Sequence, residues 1–122
     1  MKNKIIIILV AIVVIAVATF NYNRKPVTNS NPIKIGSISA LTGVGVSPGE
    51  EERKGAQLAI DEINEKGGIH GRPLQLIAED LSLDKLKNAT SVTRKLIDVD
   101  HVVAIVGAQW DEPSEAIIPT IE

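Results

Sequence analysis

The first 20 residues carry an apolar run that has no polar face. Residues 5–20 read IIIILVAIVVIAVATF, with no charge in 16 residues, and the basic stretch MKNK precedes them. Sixteen helical residues would reach roughly 24 Å, against an apolar bilayer thickness of about 30 Å. The layout predicts that residues 1–20 form a signal peptide, with small residues at Ala16 and Ala18, or an uncleaved membrane anchor. A buried core helix is the less favoured alternative, because the helices that pack on the core of a small domain normally keep a polar face.

The next segment, residues 21–32, is polar, contains two prolines and has no periodicity, so it is predicted to be a linker. The charge of the chain changes sign near the same place. Residues 1–26 contain four basic and no acidic residues, whereas residues 27–122 contain nine basic and all 15 acidic residues. This asymmetry indicates a targeting segment in front of an acidic domain that acts outside the cytoplasm.

From Ile33 onward, short apolar runs alternate with segments of helical periodicity. Strands are predicted at residues 33–39, 74–78 and 102–106, and helices at residues 47–66, 84–98 and from 112 to the chain end. The order βαβαβα predicts an α/β fold with a three-layer arrangement around a parallel sheet and right-handed crossovers. Because residues 102–106 are wholly apolar, they are predicted to form a central strand that is buried on both faces.

Local signals place the helix ends and their core-facing sides. The sequence Ser47-Pro48-Gly49-Glu50 predicts a capping box, Gly67-Gly68 predicts the end of that helix, and Asp84 predicts the cap of the next one. The predicted core faces are Ala56, Ala59, Ile60 and Ile63 on the first of these helices, and Leu86, Ala89, Val92 and Leu96 on the second.

Three strands make a thin core, so we expect residues 33–122 to be a truncated part of a longer domain. The alternative, a small complete flavodoxin-like domain, needs about five strands.

Composition narrows the function further. The chain has no cysteine, which excludes disulfides, zinc fingers and iron–sulfur ligation, and a net charge of −2 argues against nucleic-acid binding. Pro48 interrupts the glycine pattern that a dinucleotide site would need. The two histidines, His70 and His101, have no second ligand at useful spacing, so we expect no metal, no cofactor and no catalytic set.

Trp110 is the sole aromatic residue of residues 27–122 and directly follows the third predicted strand. Ligands of open parallel sheets bind at the carboxyl ends of the strands, where an indole could cover the apolar part of a small molecule. Gln109 and Asp111, on either side, offer polar contacts. The competing interpretation is that Trp110 only packs its own loop.

Four segments together resemble the start of the leucine/isoleucine/valine-binding proteins. They are ALTG (40–43), GAQLAIDEIN (55–64), KGGIHGRPL (66–74) and AIVG (104–107), and the similarity runs from Ile33 to Glu122. Members of that family are solute receptors of ATP-driven importers of branched-chain amino acids, with the type I periplasmic-binding-protein fold.

The resemblance implies a two-lobed receptor that closes on a small solute, such as an amino acid, and is recognised by a membrane permease. Loops 41–49 and 107–112 would line the cleft, so the resemblance implies solute contacts from Thr42, Ser47, Gln109, Trp110 and Asp111. Where family members often carry serines this chain has Trp110-Asp111, and Pro48 lies where an aromatic residue is frequent. A sensory domain of a membrane receptor and a fragment of an α/β enzyme are the alternative functions.

Overall fold

The computed structural model describes residues 2–22 and 31–121, with side chains at 6–19 and 31–121. Most of the predicted linker therefore lies outside the described residues. The elements, in chain order, are α1 (Lys2–Tyr22), β1 (Ile33–Ser39), α2 (Val46–Glu65), β2 (Leu74–Asp80), α3 (Ala89–Arg94), β3 (Ala104–Gly107) and α4 (Asp111–Ile121). A 3₁₀ segment, Leu83–Asn88, precedes α3, and a π-helical turn, Lys95–Val99, follows it.

The predicted N-terminal helix is present as α1, and the side chains of residues 6–19 are all exposed. The alternative of a buried core helix is therefore not supported. Among the described residues, no helix has both the length and the apolar character needed to cross a bilayer. The expectation of a membrane anchor accordingly receives no support from the structure.

The three strands form a parallel sheet in the order β2–β1–β3, as expected for an α/β fold. Ile33 pairs with Leu74 on one side of β1, and Ile35 pairs with Ala104 on the other. The prediction that residues 102–106 form a central, doubly buried strand is wrong for the described sheet. The centre of that sheet is β1, and β3 is an edge strand in which Val106 is 43% exposed. Val103, just before β3, is 71% exposed. The apolar side chains of β3 lack cover because no described strand pairs with its outer side.

The start of α2 differs from the predicted capping box. Gly45 occupies the N-cap position with φ +89°, no side chain caps the helix, and the Gly49 N–H already donates to the Gly45 carbonyl at 3.0 Å. Ser47 therefore lies inside the first turn, because a left-handed glycine lets the helix begin earlier. Glu50 accepts from Arg53 at 3.0 Å instead of reaching back to Ser47.

The end of α2 matches the prediction. Gly67, at φ +99°, donates to the Asn64 carbonyl, and Gly68 donates to the Ile63 carbonyl, both at 3.0 Å. These bonds satisfy carbonyls that the helix end would otherwise leave unpaired. The side chain of Asn64 then exchanges two hydrogen bonds with the backbone of Leu74, at 2.7 and 2.9 Å, which fixes the start of β2 against α2.

The helix predicted from Asp84 is not continuous. Lys85 has non-helical φ −124°, and the Asp84 carboxylate accepts from the Ser82 hydroxyl rather than capping a long helix. Only Ala89–Arg94 is α-helical. The departure arises because the chain leaving β2 first folds against the loop that follows β1, as described below.

The main core lies between the sheet and the α3–α4 layer. Its buried members are Ile38, Leu81, Ala89, Leu96, Ala108 and Ile117. The four inward residues predicted for 84–98 all belong to this core or pack against it. On the other face of the sheet, α2 buries Ile60 and partly buries Ala56 and Ile63, but Ala59 is exposed, so the apolar stripe of α2 is narrower than predicted.

Gly49 marks a close approach between α2 and the end of β1. A Cβ at this position would collide with the backbone of Ala40, whereas a Cβ at Gly55, on the same helix, would meet nothing within 4 Å. Helix propensity favours alanine over glycine by about 1 kcal/mol at both positions. At Gly49, the steric clash with Ala40 should outweigh the gain in helix propensity.

We predict opposite effects for two identical substitutions in α2. Gly55→Ala should raise the thermal unfolding midpoint by a few degrees, since each kcal/mol shifts it by roughly 4–8 °C in a domain of this size. Gly49→Ala should lower it, because α2 must move away from Ala40. Circular dichroism melting curves measure both, and an equal gain in the two variants would contradict the close approach.

Candidate functional site

The carboxyl edge of the sheet brings together three connections. They are the first loop (residues 40–45), the β2 exit (residues 81–84) and the third loop (residues 108–110). The Ser39 carbonyl accepts from the Leu81 N–H at 3.0 Å, and the Ile38 carbonyl accepts from the Ala108 N–H at 2.7 Å. The end of β1 thus holds the chain leaving both neighbouring strands.

Asp80, the last residue of β2, binds the beginning of the first loop. One carboxylate oxygen accepts from the backbone N–H groups of Leu41 at 2.8 Å and Thr42 at 3.1 Å, and the other accepts from the Thr42 hydroxyl. Burial alone would raise the pKa of Asp80, but these three hydrogen bonds and the charge of Lys85 outweigh it and lower the pKa. Asp80 is therefore held in its ionised form.

The β2 exit binds the other end of the first loop. The Val44 carbonyl accepts from the buried Ser82 hydroxyl at 3.3 Å and from the Leu83 N–H at 3.4 Å. Asp84 accepts from Ser82, which is the main reason that its pKa is lowered, and a hydrogen bond from the Val44 N–H acts in the same direction. Both ends of the loop are thereby fixed to one short stretch of chain.

Trp110 reaches across from the third loop to the first. A Cβ at Gly45 would lie 3.2 Å from Cη2 of the indole and 3.2 Å from the Ala40 side chain, so the ring tip packs directly against the glycine. Ala108 holds a left-handed φ of +56°. The Ser114 hydroxyl donates to the Ala108 carbonyl at 2.5 Å and its N–H to the Trp110 carbonyl at 3.2 Å, which ties the third loop to α4.

The five residues expected to contact solute are distributed unequally over this edge. Thr42 is exposed, and its hydroxyl and N–H are both donated to Asp80. Trp110 is half-buried, with exposed Gln109 and Asp111 beside it, and Asp111 begins α4. Ser47 is exposed in the first turn of α2. The structure joins the loops that carry Thr42 and Trp110, because Gly45 of the first loop packs against the indole.

Three supporting residues were not predicted as part of the site. Asp80 lies at the end of the second predicted strand and is part of the family resemblance, but the sequence alone does not show that it binds the first loop. Ser82 and Ser114 could not be singled out, because their partners are backbone carbonyls of distant loops. The exposed His70 lies in a turn and the exposed His101 in the loop before β3. No group of three or more metal-ligating side chains is found within the described part of the chain.

A comparison with protein families decides the identity of the fold. A family model described as periplasmic binding protein matches residues 32–122. The chain belongs to the periplasmic binding protein family. This periplasmic binding protein sequence is 35% identical over 75 residues to the Leu/Ile/Val-binding protein of Escherichia coli K12 and 36% identical over 75 residues to an amino acid binding protein of Pseudomonas aeruginosa. Each match covers 62% of this chain and 20% of the relative.

Solved periplasmic binding proteins share the fold. The branched-chain amino acid transporter substrate binding protein of Streptococcus pneumoniae, in complex with isoleucine, matches with a TM-score of 0.69 and 36% identity, over 74% of this chain and 26% of that one. A fatty acid ABC transporter substrate-binding protein of Thermomonospora curvata matches with a TM-score of 0.65 and 27% identity, over 81% and 25% of the two chains. The chain thus spans between a fifth and about a quarter of these proteins' length.

An apolar groove of this periplasmic binding protein chain lies away from the three loops. It runs along the open edge of β3 and is lined by Ile97, Val102, Val103, Ala104, Ile105 and Ile121. The groove is continuous with the uncovered edge of the sheet, so it reflects the sheet's open side rather than the candidate site.

Glu52 is a partly buried carboxylate on α2, close to the end of β1. Burial raises its pKa, a hydrogen bond with Ser39 opposes the rise, and its Oε2 atom is buried without a partner among the described residues. Ser39 is itself buried, with its hydroxyl 3.1 Å from that of Ser37. An ionised carboxylate is thus held in a site that favours the neutral form.

We predict that Glu52→Gln stabilises the fold at pH 7 by on the order of 1 kcal/mol. Because the folded-state pKa is raised above its ordinary value of 4.5, the native protein is favoured below that value and loses stability as pH rises through the folded pKa. The gain from Glu52→Gln should therefore vanish near pH 4. Urea unfolding at both pH values measures it, with Glu51→Gln, at an exposed neighbour, as the control. A gain that does not depend on pH would contradict the assignment.

Proposed function

We propose that this chain is part of an extracytoplasmic solute-binding receptor of an ABC-type importer, with amino acids as its solutes. The observation that carries the proposal is the match of residues 32–122 to the periplasmic binding protein model, together with three loops fixed at the carboxyl edge of a parallel sheet. That edge is where α/β sheets bind small ligands.

The mechanism is binding without chemistry. A solute that contacts these loops and a second lobe stabilises the closed arrangement, and a membrane permease then recognises that closed form. The relatives named above are binding proteins rather than enzymes, which supports a non-catalytic role. The exposed edge of β3 and its apolar groove fit a sheet that continues with further strands in the whole protein.

Amino acids are the proposed solute class because two sequence relatives are named for amino acids and one solved relative holds isoleucine. One similar solved structure is named as a fatty acid ABC transporter substrate-binding protein, so a fatty acid is the comparison solute for the proposal. In the proposal, the Trp110 indole covers the apolar part of the solute, and Gln109 binds its polar end. Thr42, Ser47 and Asp111 are the further proposed contacts.

Asp111 distinguishes between charged solutes. It is exposed beside Trp110, and an aspartate at that position repels a carboxylate while attracting an ammonium group or a guanidinium. The proposal therefore includes amides and cationic amino acids beside the branched-chain ones.

We predict that the complete gene product binds at least one amino acid with micromolar or tighter affinity. Isothermal titration with L-isoleucine, L-leucine, L-valine, L-glutamine and L-arginine, and with a medium-chain fatty acid as comparison, measures this directly. Binding of the fatty acid alone would overturn the amino-acid assignment while keeping the receptor role. The absence of binding by every compound would argue for a sensory or other function.

For the solute identified in this way, Trp110→Ala should weaken binding by about tenfold or more, since buried aromatic contacts are frequent hot spots. Trp110→Phe should retain most of the affinity. Unchanged affinity with a lower melting temperature would mean that Trp110 only packs the loops.

Export is proposed to depend on the apolar segment of residues 5–20. Replacing Ile8 and Val13 by lysine should retain the protein in the cytoplasm, because charge within this segment blocks its insertion. Cell fractionation measures the location, and Lys2→Arg, which keeps the charge, is the control. An unchanged distribution would contradict the export role.

A further inference from the structure

The first loop is held at both ends by the chain at the end of β2. At its beginning, the N–H groups of Leu41 and Thr42 and the Thr42 hydroxyl all donate to Asp80. At its other end, the Val44 carbonyl accepts from the Ser82 hydroxyl and the Leu83 N–H. Of these two attachments, the one at the beginning of the loop is made by a carboxylate.

The bonds to Asp80 are of the strong, charge-assisted kind. Asp80 accepts three of them, from two adjacent residues, and so fixes where the loop leaves β1. The bonds to the Val44 carbonyl, two residues farther on, come from a neutral hydroxyl and an amide. Asp80 therefore makes the strongest attachment of the first loop, although it is not itself part of that loop.

The first loop is in packing contact with Trp110, so its position affects the position of the indole. Gly45 follows Val44 and packs against the indole tip, while Ala40, just before the bonded residues, lies equally close to the same glycine. If the Leu41–Thr42 backbone shifts, the surface under the indole shifts with it. The orientation of the one aromatic side chain at this edge then depends on a carboxylate that does not touch it.

We propose that Asp80 is a positioning residue for solute binding, because it fixes the first loop that supports the Trp110 indole. This inference rests on the proposed receptor function for its effect on affinity. Its effect on Trp110 is independent of any solute, so the two claims can be tested separately.

The test uses the complete gene product labelled with 5-fluorotryptophan, with the Trp110 fluorine resonance assigned by its loss in Trp110→Phe. In the absence of solute, Asp80→Ala should shift or broaden this resonance. In titrations with L-isoleucine it should weaken binding by about ten- to a hundredfold, by analogy with the loss of residues that orient metal ligands. Asp80→Asn keeps an oxygen that can accept from both N–H groups. This variant should therefore have a Trp110 resonance and an affinity for L-isoleucine close to those of the native protein.

Asp98→Ala serves as the matched control, since Asp98 is an exposed carboxylate of the same lobe, on the turn after α3. If Asp80→Ala lowers the melting temperature but leaves the Trp110 resonance and the affinity as in the native protein, the proposal is wrong and Asp80 is only structural.

Should that variant fail to fold, Thr42→Val removes a single bond of the three. A shifted Trp110 resonance then supports the proposal, and an unchanged one overturns it. A shifted resonance with no L-isoleucine binding in the native protein would reject that solute and keep the positioning role.

Discussion

Two backbone carbonyls at the end of β1 hold the candidate site together. Ile38 accepts from Ala108 at 2.7 Å, and Ser39 accepts from Leu81 at 3.0 Å, so the chains leaving β2 and β3 are both bound to the central strand. Immediately beyond, Ala40 lies against Gly49 and Gly45. The end of β1, at Ile38, Ser39 and Ala40, therefore positions the connections that meet at this edge of the sheet.

This arrangement explains why the surrounding sequence contains small residues and polar groups that serve the backbone. A side chain at Gly49 would displace α2, and one at Gly107 would collide with the backbone of Ile38. Loop backbone groups are also hydrogen-bonded by three polar side chains, those of Asp80, Ser82 and Ser114. Burying loop backbone without such partners would be costly, since unpaired amides and carbonyls lose their contacts with water. The polar residues are thus a condition of packing three loops closely.

Hydrophobic periodicity was enough to predict the three strands, their parallel arrangement and the inward face of the segment after β2. Leu86, Ala89, Val92 and Leu96 were recognisable because they recur at helical spacing. The strand order was harder, because the apolar content of residues 102–106 depends on the cover that the strand meets, and the run looks the same at a centre or at an edge. The capping box failed because a left-handed Gly45 competes with Ser47 for the same role, and a local motif cannot rank the two.

For the candidate site, the loops could be predicted, but their internal support could not. Trp110 stood out as an isolated aromatic residue after a strand, and the structure places its ring against Gly45. The bonds from Asp80 to Leu41 and Thr42 join residues almost 40 positions apart in the chain. Such pairs leave no periodic trace in a single sequence, so they become visible only when the strands are aligned.

The register of the sheet also carries information about the order of assembly. β1 pairs with β2 through Ile33 and Leu74, and with β3 through Ile35 and Ala104, so the second pairing closes a considerably longer loop. Loop closure costs more entropy as the intervening chain lengthens, which favours β2 joining β1 first. Asp80 and the first loop can meet in that early β1–α2–β2 unit, before β3 pairs with β1. The bonds between Asp80 and the first loop can then form before Trp110 packs against Gly45.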